Sequence, residues 1–304
     1  MPSSQVLAAA MGVDIGGTQI KACLLDSSGE ILVSEVHATD PLWEGPRLLE
    51  LIVQIHARFT AKKGVCGIGL GVPAAVQQPA GTVLGKANLP CLDDYPLGEQ
   101  IAKSLAVPCR LDNDANQALR AESHFGVARG FANVLGVTLG TAVGGALLLG
   151  GRLWSGSHGT AGEIGMTYLS VPDERTPSLA SFVPIESIAS AVAIEKRAGK
   201  SSAQVFQDAV RGDSRANQIL QEAFQVLALA ITNVHLLLDL DLVVLGGGMA
   251  KAGSALKDGV IAAFRRTCPP EHGSHLQFEL SSLGGFAGAM GAACMVLEAG
   301  GHLG

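Results

Sequence analysis

The N-terminal part of the chain alternates apolar and other residues on both sides of a glycine pair. In residues 12–26, GVDIGGTQIKACLLD, apolar side chains recur at every second position before and after Gly16-Gly17-Thr18. A period of two indicates half-buried β-strands, and a Gly-Gly pair suits the tight turn between them. The pattern therefore predicts a hairpin, with a third strand at 31–36. A Rossmann phosphate loop leads into a helix, whereas this turn leads into a strand, so a plain hairpin already explains the stretch.

A second stretch repeats this pattern in the other half of the chain. Residues 134–151, VLGVTLGTAVGGALLLGG, again read strand, Gly-Thr and strand, with Gly140-Thr141 in the place of Gly17-Thr18. Two such hairpins predict a duplicated unit. Backbone N–H groups in turns of this kind can form concavities that bind anions.

A third glycine-rich turn follows the predicted strand in LDLVVLGGGMA, residues 240–250, and precedes a helical stretch that starts at Ser254. Glycine at this step allows a flat ring and its ribose to lie against the backbone. Between the second and third turns, apolar residues at helical spacing predict a well-packed helix over about 216–238.

Acidic residues stand at three points that chemistry could use. In VPCRLDNDANQALRAE, an apolar strand ends at Asp112-Asn113-Asp114 and a helix follows at once. Asn113 or Asp114 can be a helix N-cap, or Asp114 can be a general base at the carboxyl end of a strand. Glu163 lies in a loop of small residues, and Glu186 lies at the start of a predicted helix at 183–199. Solvation or the helix dipole would explain each of these two glutamates alone.

Composition narrows the class of protein. The chain has 304 residues, of which 48% are hydrophobic and 16% charged, which is enough for about two domains with large cores. The net charge of −6 argues against a nucleic-acid partner. Residues 1–11 make a poor signal peptide, and no apolar run approaches the roughly 20 residues of a membrane span. The six cysteines form no C-x-x-C pair, which indicates reduced thiols and a cytoplasmic protein.

Together these stretches resemble the ROK family of sugar kinases and sugar-responsive repressors, within the actin-like ATPase fold, nearly from end to end. DIGGTQIK and GVTLGTAVGG resemble the two phosphate motifs of the family, and LDNDANQA resembles its catalytic stretch. AGEIG resembles the sugar loop, VVLGGGMA the adenosine motif, and FAGAMGAA the closing helix. Six motifs in the family's order make the resemblance specific.

The resemblance implies a role for each matching residue. Asp14 would help to hold Mg²⁺, through water. The phosphates of ATP would be lined by Gly16, Gly17, Thr18, Gly140 and Thr141, and adenosine would lie near Gly247 and Gly248. The sugar hydroxyls would be bound by Asn88, Asn113, Asp114, Glu163 and Glu186, with Asp114 as the general base. Lys21 fits the family's Gly-Gly-Thr-x-x-Lys variant and joins the nucleotide-binding set without a defined role.

Two departures from the family concern the sugar loop. Met166 stands where the family usually has a histidine shortly after AGEIG, which removes a possible sugar contact. The cluster of three zinc-binding cysteines that usually precedes the position of Glu186 is replaced by SVPDERTPSLASFVP. We therefore expect no zinc site, and we expect this segment to be held by apolar anchors such as Leu179, Phe182 and Ile185.

The expected protein is an α/β, two-lobed actin-like ATPase (ribonuclease H-like) with duplicated units and a central cleft. The small lobe would comprise 1–113 plus 287–304, and the large lobe 114–286. The expected activity is ATP- and Mg²⁺-dependent phosphorylation of a hexose at the 6-hydroxyl, with glucose favoured over N-acetylhexosamines, mannose or fructose. The resemblance also implies a homodimer. The alternatives are a sugar-binding pseudokinase and a repressor, and the start of the first motif about ten residues into the chain leaves no room for the repressor's DNA-binding domain.

Overall fold

A computed structural model describes residues 7–40, 42–61, 63–77, 81–84, 89–93, 95–172 and 180–303. The chain divides into two compact units. The first unit comprises Met1–Arg129, Ser155–Ala161 and Gly285–Gly304, and the second comprises Gly130–Trp154 and Gly162–Gly284.

The first unit is built on a five-stranded sheet in the order β3-β2-β1-β4-β7. Its strands are β1 (Ala9–Ile15), β2 (Gln19–Asp26), β3 (Ile31–Ala38), β4 (Ile68–Val72), the short pair β5 (Val76–Gln77) and β6 (Thr82–Val83), and β7 (Cys109–Asn113). The α-helices of the first unit before residue 130 are α1 (Gly45–Thr60), α2 (Leu97–Leu105) and α3 (Asp114–Phe125). β2 pairs antiparallel with β1 and β3, whereas β4 pairs parallel with β1 and β7.

The second unit has a five-stranded sheet in the order β10-β9-β8-β13-β14 and a separate β11–β12 pair. Its strands are β8 (Val134–Leu139), β9 (Val143–Leu149), β10 (Arg152–Leu153), β11 (Tyr168–Pro172), β12 (Ala180–Pro184), β13 (Leu242–Gly246) and β14 (Gln277–Leu280). Its helices are α4 (Glu186–Ala189), α5 (Ala191–Ala198), α6 (Ser202–Val210), α7 (Ser214–Leu238), α8 (Ser254–Thr267) and α9 (Pro270–Gly273).

The two sheets share one topology, which confirms the predicted duplication. In each sheet the first strand pairs antiparallel with the second, and the second pairs antiparallel with the third. On its other side the first strand pairs parallel with a later strand, which in turn pairs parallel with the edge strand. This order, with two α/β units, is the predicted actin-like, ribonuclease H-like arrangement. The strand that leads into each glycine hairpin lies at the centre of its sheet, so the fold holds both hairpin turns on rigid strands.

The last helix, α10 (Ala287–Ala299), returns to the first unit and packs on its sheet through small residues. A Cβ atom on Gly12 of β1 would lie 1.8 Å from the Ala289 carbonyl oxygen, and one on Gly69 of β4 would lie 1.8 Å from that of Ala292. Only glycine fits at these two points, so the backbones of the strands and the helix touch directly. This close seating explains why almost every residue of α10 is buried.

The predicted helix over 216–238 is confirmed as α7. The side chain of Asp213 caps it by accepting a hydrogen bond from the N–H of Ala216 (2.7 Å), and the helix ends at Asp239, which adopts a left-handed conformation. Its length and apolar composition would suffice for a membrane span, although we expected no such segment. However, 56% of the most apolar stretch is buried inside the protein, as in a core helix.

The division into units differs from the predicted boundary between residues 113 and 114, because α3 belongs to the first unit. α3 lies along α10, where a Cβ on Gly291 would be 1.7 Å from the Gln117 carbonyl oxygen. The loop 155–161 also belongs to the first unit, since Gly159 lies directly against the carbonyl of Val76.

The predicted helix at 183–199 is interrupted. Ser190 has an extended backbone, and its side chain caps α5 by accepting from the N–H of Ala193, so α4 and α5 are separate. Of the predicted apolar anchors, Ile185 is buried but Phe182 is 69% exposed in the β11–β12 pair, so that part of the prediction is wrong. Leu179 lies outside the described residues.

Candidate active site

The first hairpin turn is held by Thr39, which directly follows β3, and its tip is open. The N–H of Gly16 donates to the Gln19 carbonyl (3.0 Å), while Thr39 donates from its hydroxyl to the Gly16 carbonyl (2.7 Å) and from its N–H to the Thr18 carbonyl (3.0 Å). A Cβ on Gly17 would meet nothing within 4 Å, and the φ of Gly17 is not in the left-handed region. The fold itself therefore does not require glycine at the tip, whereas a ligand that approaches the backbone would.

Asp14 and Lys21 face each other across this hairpin. They are directly paired in the antiparallel register of β1 and β2, so their side chains lie on the same face of the sheet. Loss of hydration on burial raises the pKa of Asp14 to about 6, and the nearby charge of Lys21 opposes that rise. The start of α10 borders both side chains: a Cβ on Gly288 would lie 2.7 Å from Asp14 Cγ, and one on Gly285 would lie 3.6 Å from Lys21 Nζ.

Asn113 is the N-cap of α3. Its side-chain oxygen accepts from the N–H groups of Ala115 (2.9 Å) and Asn116 (3.2 Å), and its Nδ2 donates to the Ala74 carbonyl (3.2 Å). The capping alternative from the sequence is therefore confirmed for Asn113. Asp114 is the first residue of the helix, and its Oδ1 accepts from the N–H of Ala115 (2.8 Å).

Asp114 and Asp14 both border Gly71 of β4. A Cβ on Gly71 would lie 3.6 Å from Asp114 Cα and 3.8 Å from Asp14 Oδ1. The parallel neighbours β1, β4 and β7 end at this edge of the sheet, where open α/β sheets bind ligands. The first unit thus brings together the predicted metal-binding carboxylate and the predicted base.

The second hairpin turn has the same open tip. The N–H of Gly140 donates to the Ala142 carbonyl (3.0 Å), and a Cβ on Gly140 would meet nothing within 4 Å. Thr141 is exposed at the tip. The Gly140 carbonyl accepts from the N–H of Ala191 (2.8 Å), which ties the turn to the first residue of α5.

Gly247 and Gly248 lie beside the second hairpin and differ from each other. Gly247 has φ +81°, and a Cβ there would be 2.5 Å from the Leu139 carbonyl oxygen, so the fold requires glycine at this position. A Cβ on Gly248 would meet nothing within 4 Å. The predicted helix after this turn begins at Ser254, as expected.

Glu163 and Glu186 come together in the second unit. Glu186 Oε2 accepts from the N–H of Val143, the first residue after the second hairpin turn (3.4 Å). Partial burial and then the charge of the Glu186 carboxylate raise the pKa of Glu163 above its ordinary value. Two neighbouring carboxylates suit the capture of several hydroxyl groups, because each oxygen accepts hydrogen bonds. Asn88, the remaining predicted sugar contact, lies outside the described residues.

Comparison with known proteins assigns the family. The ROK family model matches residues 10–299. The chain belongs to the ROK family.

Its relatives include sugar kinases of two substrate classes. The chain is 28% identical to a glucokinase of Halalkalibacterium halodurans, over 95% of this chain and 94% of that one. It is 32% identical to an N-acetylmannosamine kinase of Yersinia pseudotuberculosis, over 85% and 89%. Among solved structures it resembles a ROK glucokinase from Streptomyces griseus in complex with glucose and AMPPNP, with TM-score 0.81, 28% identity and coverage of 95% and 99%. These relatives confirm the predicted enzyme class, a sugar kinase of the actin-like ATPase fold.

The departures of this ROK chain from its family can be located in the second unit. Met166 closes the short 3-10 turn Ile164–Met166 that follows Glu163, and its side chain is 48% exposed. The segment that replaces the usual cysteines contributes β11 and β12, with residues 173–179 outside the described range.

Across the described residues, one trio of possible metal ligands stands out: His235, Asp239 and His275, with ligand atoms within 4.8 Å of one another. Nδ1 of His235 accepts from the N–H of Leu240 (3.2 Å), so its Nε2 carries the proton and donates to the His272 carbonyl (3.0 Å). Because both ring nitrogens are engaged, the trio is a poor metal site. The absence of zinc from this ROK protein stays a prediction.

Two residues around the ROK motifs escaped sequence reasoning. Thr39 braces the first hairpin from a distant point in the chain, and no motif marks it. Asp112 directly precedes Asn113 and Asp114, is 3% exposed, and accepts from the N–H of Asn113 (2.8 Å) and from Asn116 Nδ2 (3.1 Å). The available signal for Asp112 was an acid at the end of a predicted strand, next to Asn113 and Asp114.

Proposed function

We propose that this ROK protein transfers the γ-phosphoryl group of ATP to the 6-hydroxyl of a hexose, with glucose the favoured substrate. The observation that carries the proposal is the meeting of Asp14 and Asp114 at the carboxyl ends of parallel strands around Gly71. A kinase needs one carboxylate for its metal and another for the hydroxyl proton.

Asp114 is the general base. Its carboxylate accepts the proton of the sugar hydroxyl while that oxygen forms a bond to the γ-phosphorus. The bond between the γ-phosphorus and the oxygen bridging to the β-phosphate breaks, and ADP leaves with that electron pair. Asn113 holds the start of α3, and therefore Asp114, by capping the helix.

Asp14 fits the Mg²⁺ that the family uses. Mg²⁺ prefers oxygen ligands and keeps several waters, and a single carboxylate beside a glycine turn suits it. The bound ion would neutralise phosphate charge. Gly288 at the start of α10 leaves space around the Asp14 carboxylate, and Lys21 beside it supplies a cation for a phosphate oxygen.

The open turns suit ATP. At Gly17, Gly140 and Gly248 a Cβ would not clash with the rest of the protein. The absence of a Cβ there instead allows phosphates and adenosine to approach the backbone N–H groups closely. Glu163 and Glu186 bind sugar hydroxyls, and their mutual repulsion is relieved when those hydroxyls donate to them.

N-acetylmannosamine is the second candidate substrate. The Yersinia relatives carry that name, and the exposed thioether of Met166 beside Glu163 could contact the methyl group of an N-acetyl substituent. A histidine would instead donate a hydrogen bond at this point.

The test is ADP release over a panel of glucose, mannose, fructose, N-acetylglucosamine and N-acetylmannosamine, each with and without Mg²⁺. We expect release to depend on both a sugar and Mg²⁺, and to be fastest with glucose. Saturable sugar binding in calorimetry without sugar-dependent ADP release would instead identify a pseudokinase.

A further inference from the structure

An ionic chain connects Asp112, which precedes the Asn113–Asp114 junction of β7 and α3, to the end of the last helix. Arg120, in the middle of α3, points its Nη2 at Asp112 Oδ2 (3.5 Å) and donates from Nε to Gln117 Oε1 (3.1 Å). It also pairs with Glu298 in the last turn of α10. The side chains of Arg120 and Asp112 are only 15% and 4% exposed, so water screens their interaction weakly.

Glu298 is held from two sides. His124 and Arg120, one turn apart on α3, both donate to its carboxylate. Burial alone would raise the pKa of Glu298, but the hydrogen bonds and charges of His124 and Arg120 lower it below its ordinary value. Glu298 therefore stays an anion at neutral pH and fixes the position of Arg120.

Asp112 links Arg120 to the backbone of Asn113, the residue before the proposed base. Its Oδ1 accepts from the N–H of Asn113 and from Asn116 Nδ2, both at the point where β7 becomes α3. A carboxylate that orients its neighbour's N–H fixes the backbone of that neighbour. The next residue along the chain is Asp114.

The last helix, α10, also borders Asp14, the proposed metal-binding carboxylate. Gly288 in the first turn of α10 lies against Asp14, and Gly291 lies against the backbone of Gln117 in α3. The buried helix α10 thus contacts Asp14 near its start and carries Glu298, the first member of the Glu298–Arg120–Asp112 chain, near its end.

We propose that Arg120 and Glu298 are positioning residues for phosphoryl transfer: acting through Asp112, they hold the Asn113–Asp114 junction in its reactive orientation relative to Asp14. The inference rests on the proposed function, because it takes Asp114 as the base. Misplacement of a reacting group by about 1 Å can cost about 100-fold in rate.

The experiment compares Arg120→Met, Arg120→Lys and Glu298→Gln with the matched control Glu35→Gln. Glu35 pairs with Arg58 elsewhere in the first unit, so this control removes an ion pair that has no link to the junction. We expect Arg120→Met to lower kcat per folded molecule about 10- to 100-fold with little change in the KM for ATP. Arg120→Lys and Glu298→Gln should lower it less, and Glu35→Gln should leave it unchanged.

A charge swap separates positioning from simple stabilisation. In Arg120→Glu/Glu298→Arg the ion pair between α3 and α10 can re-form, but Asp112 then faces a carboxylate. We expect the swap to regain thermal stability relative to Arg120→Glu alone without regaining kcat. Recovery of both would show that the pair only stabilises the fold and would overturn the inference.

A double-mutant cycle ties the effect to the base. If Arg120 acts through Asp114, Arg120→Met should lower the residual rate of Asp114→Asn much less than it lowers the wild-type rate. Equal factors in both backgrounds would contradict this. Wild-type turnover in Asp114→Asn alone would instead overturn the proposed function, whereas inactive Asp114→Asn with fully active Arg120→Met would overturn only the positioning role.

Discussion

The two glycine hairpins share a backbone but differ in chemistry. In the first, Ile15 pairs with Ile20 and the next pair outward is Asp14 with Lys21. In the second, Leu139 pairs with Val143 and the corresponding next pair is Thr138 with Gly144. Both turns have open tips, yet only the first hairpin carries a carboxylate and a cation on its own strands beside the tip.

The second unit receives its acids from other segments. Glu186 reaches the N–H of Val143 from the start of α4, and Glu163 lies in the loop before it. A duplicated frame therefore supplies two similar turns, and the side chains around each turn divide the work. We infer that the first unit supplies the carboxylates of phosphoryl transfer and that the second adds two carboxylates that bind sugar hydroxyls.

The strongest test of this division is Asp114→Asn in the first unit. The amide keeps the shape of the side chain but cannot accept a proton, so we expect kcat to fall by about 10²–10⁴. Sugar affinity should change little. Turnover assays with calorimetry on the purified variant check this, and a wild-type kcat would remove Asp114 from the mechanism.

Glu163→Gln is the matched change in the second unit. It removes one charged acceptor for sugar hydroxyls, worth about 1.5–3 kcal/mol, or roughly tenfold to a hundredfold in affinity. Calorimetry should show that loss for the sugar and almost none for ATP. Equal losses for both ligands would break the proposed division between the units.

Substitution of the hairpin glycines shows whether they are needed for ATP binding or for the stability of the fold. Gly17→Ala and Gly140→Ala place a methyl group in open space. The free energy of unfolding should therefore stay the same or rise by up to about 1 kcal/mol. We expect their KM for ATP to rise about tenfold, by one lost charged hydrogen bond.

Gly247→Ala is the structural control for these two variants. Its positive φ costs about 1–2 kcal/mol for any other residue, and the methyl group would collide with the Leu139 carbonyl. It should therefore lower the free energy of unfolding by at least that amount. If the hairpin variants lose stability in the same way, their glycines serve the fold rather than a ligand.

The smallest expected effect is a pH dependence of sugar binding. Because the pKa of Glu163 is raised, this carboxyl takes up its proton at a higher pH than an ordinary glutamate. Sugar affinity should weaken as the pH falls through the range in which Glu163 takes up its proton, and Glu163→Gln should remove that dependence. Because the pKa of Glu163 is higher in the folded than in the unfolded chain, its ionisation lowers the free energy of unfolding as the pH rises above 4.5. Glu163→Gln should therefore have a slightly higher unfolding temperature than the wild type at pH 8. A pH-independent affinity in the wild type would contradict the role of Glu163.

Local signals in the sequence were enough to predict the repeated frame. Alternation and glycine turns predicted both hairpins, and the polar residues at the end of β7 predicted the capped start of α3. The motif order of a known family then supplied the residue roles, which remain predictions for each side chain.

Features that depend on distant contacts could not be predicted. α3 belongs to the first unit because Gly291 admits the backbone of Gln117, a contact between segments far apart in the chain. Phe182 is exposed in β12, which within the described part of the chain pairs with β11 and not with the five-stranded sheet. The chain from Glu298 to Asp112 likewise exists only after α10 has returned to the first sheet.

In the proposed reaction, a sugar hydroxyl attacks ATP at the carboxylates of the first unit. The most direct measurement uses the preferred hexose labelled with ¹⁸O at its 6-hydroxyl, with the product followed by ³¹P NMR. We expect a phosphate ester whose signal shows the isotope shift of a bridging ¹⁸O, formed by the wild type and almost absent with Asp114→Asn. An ester without the isotope shift, or equal product from Asp114→Asn, would contradict the account.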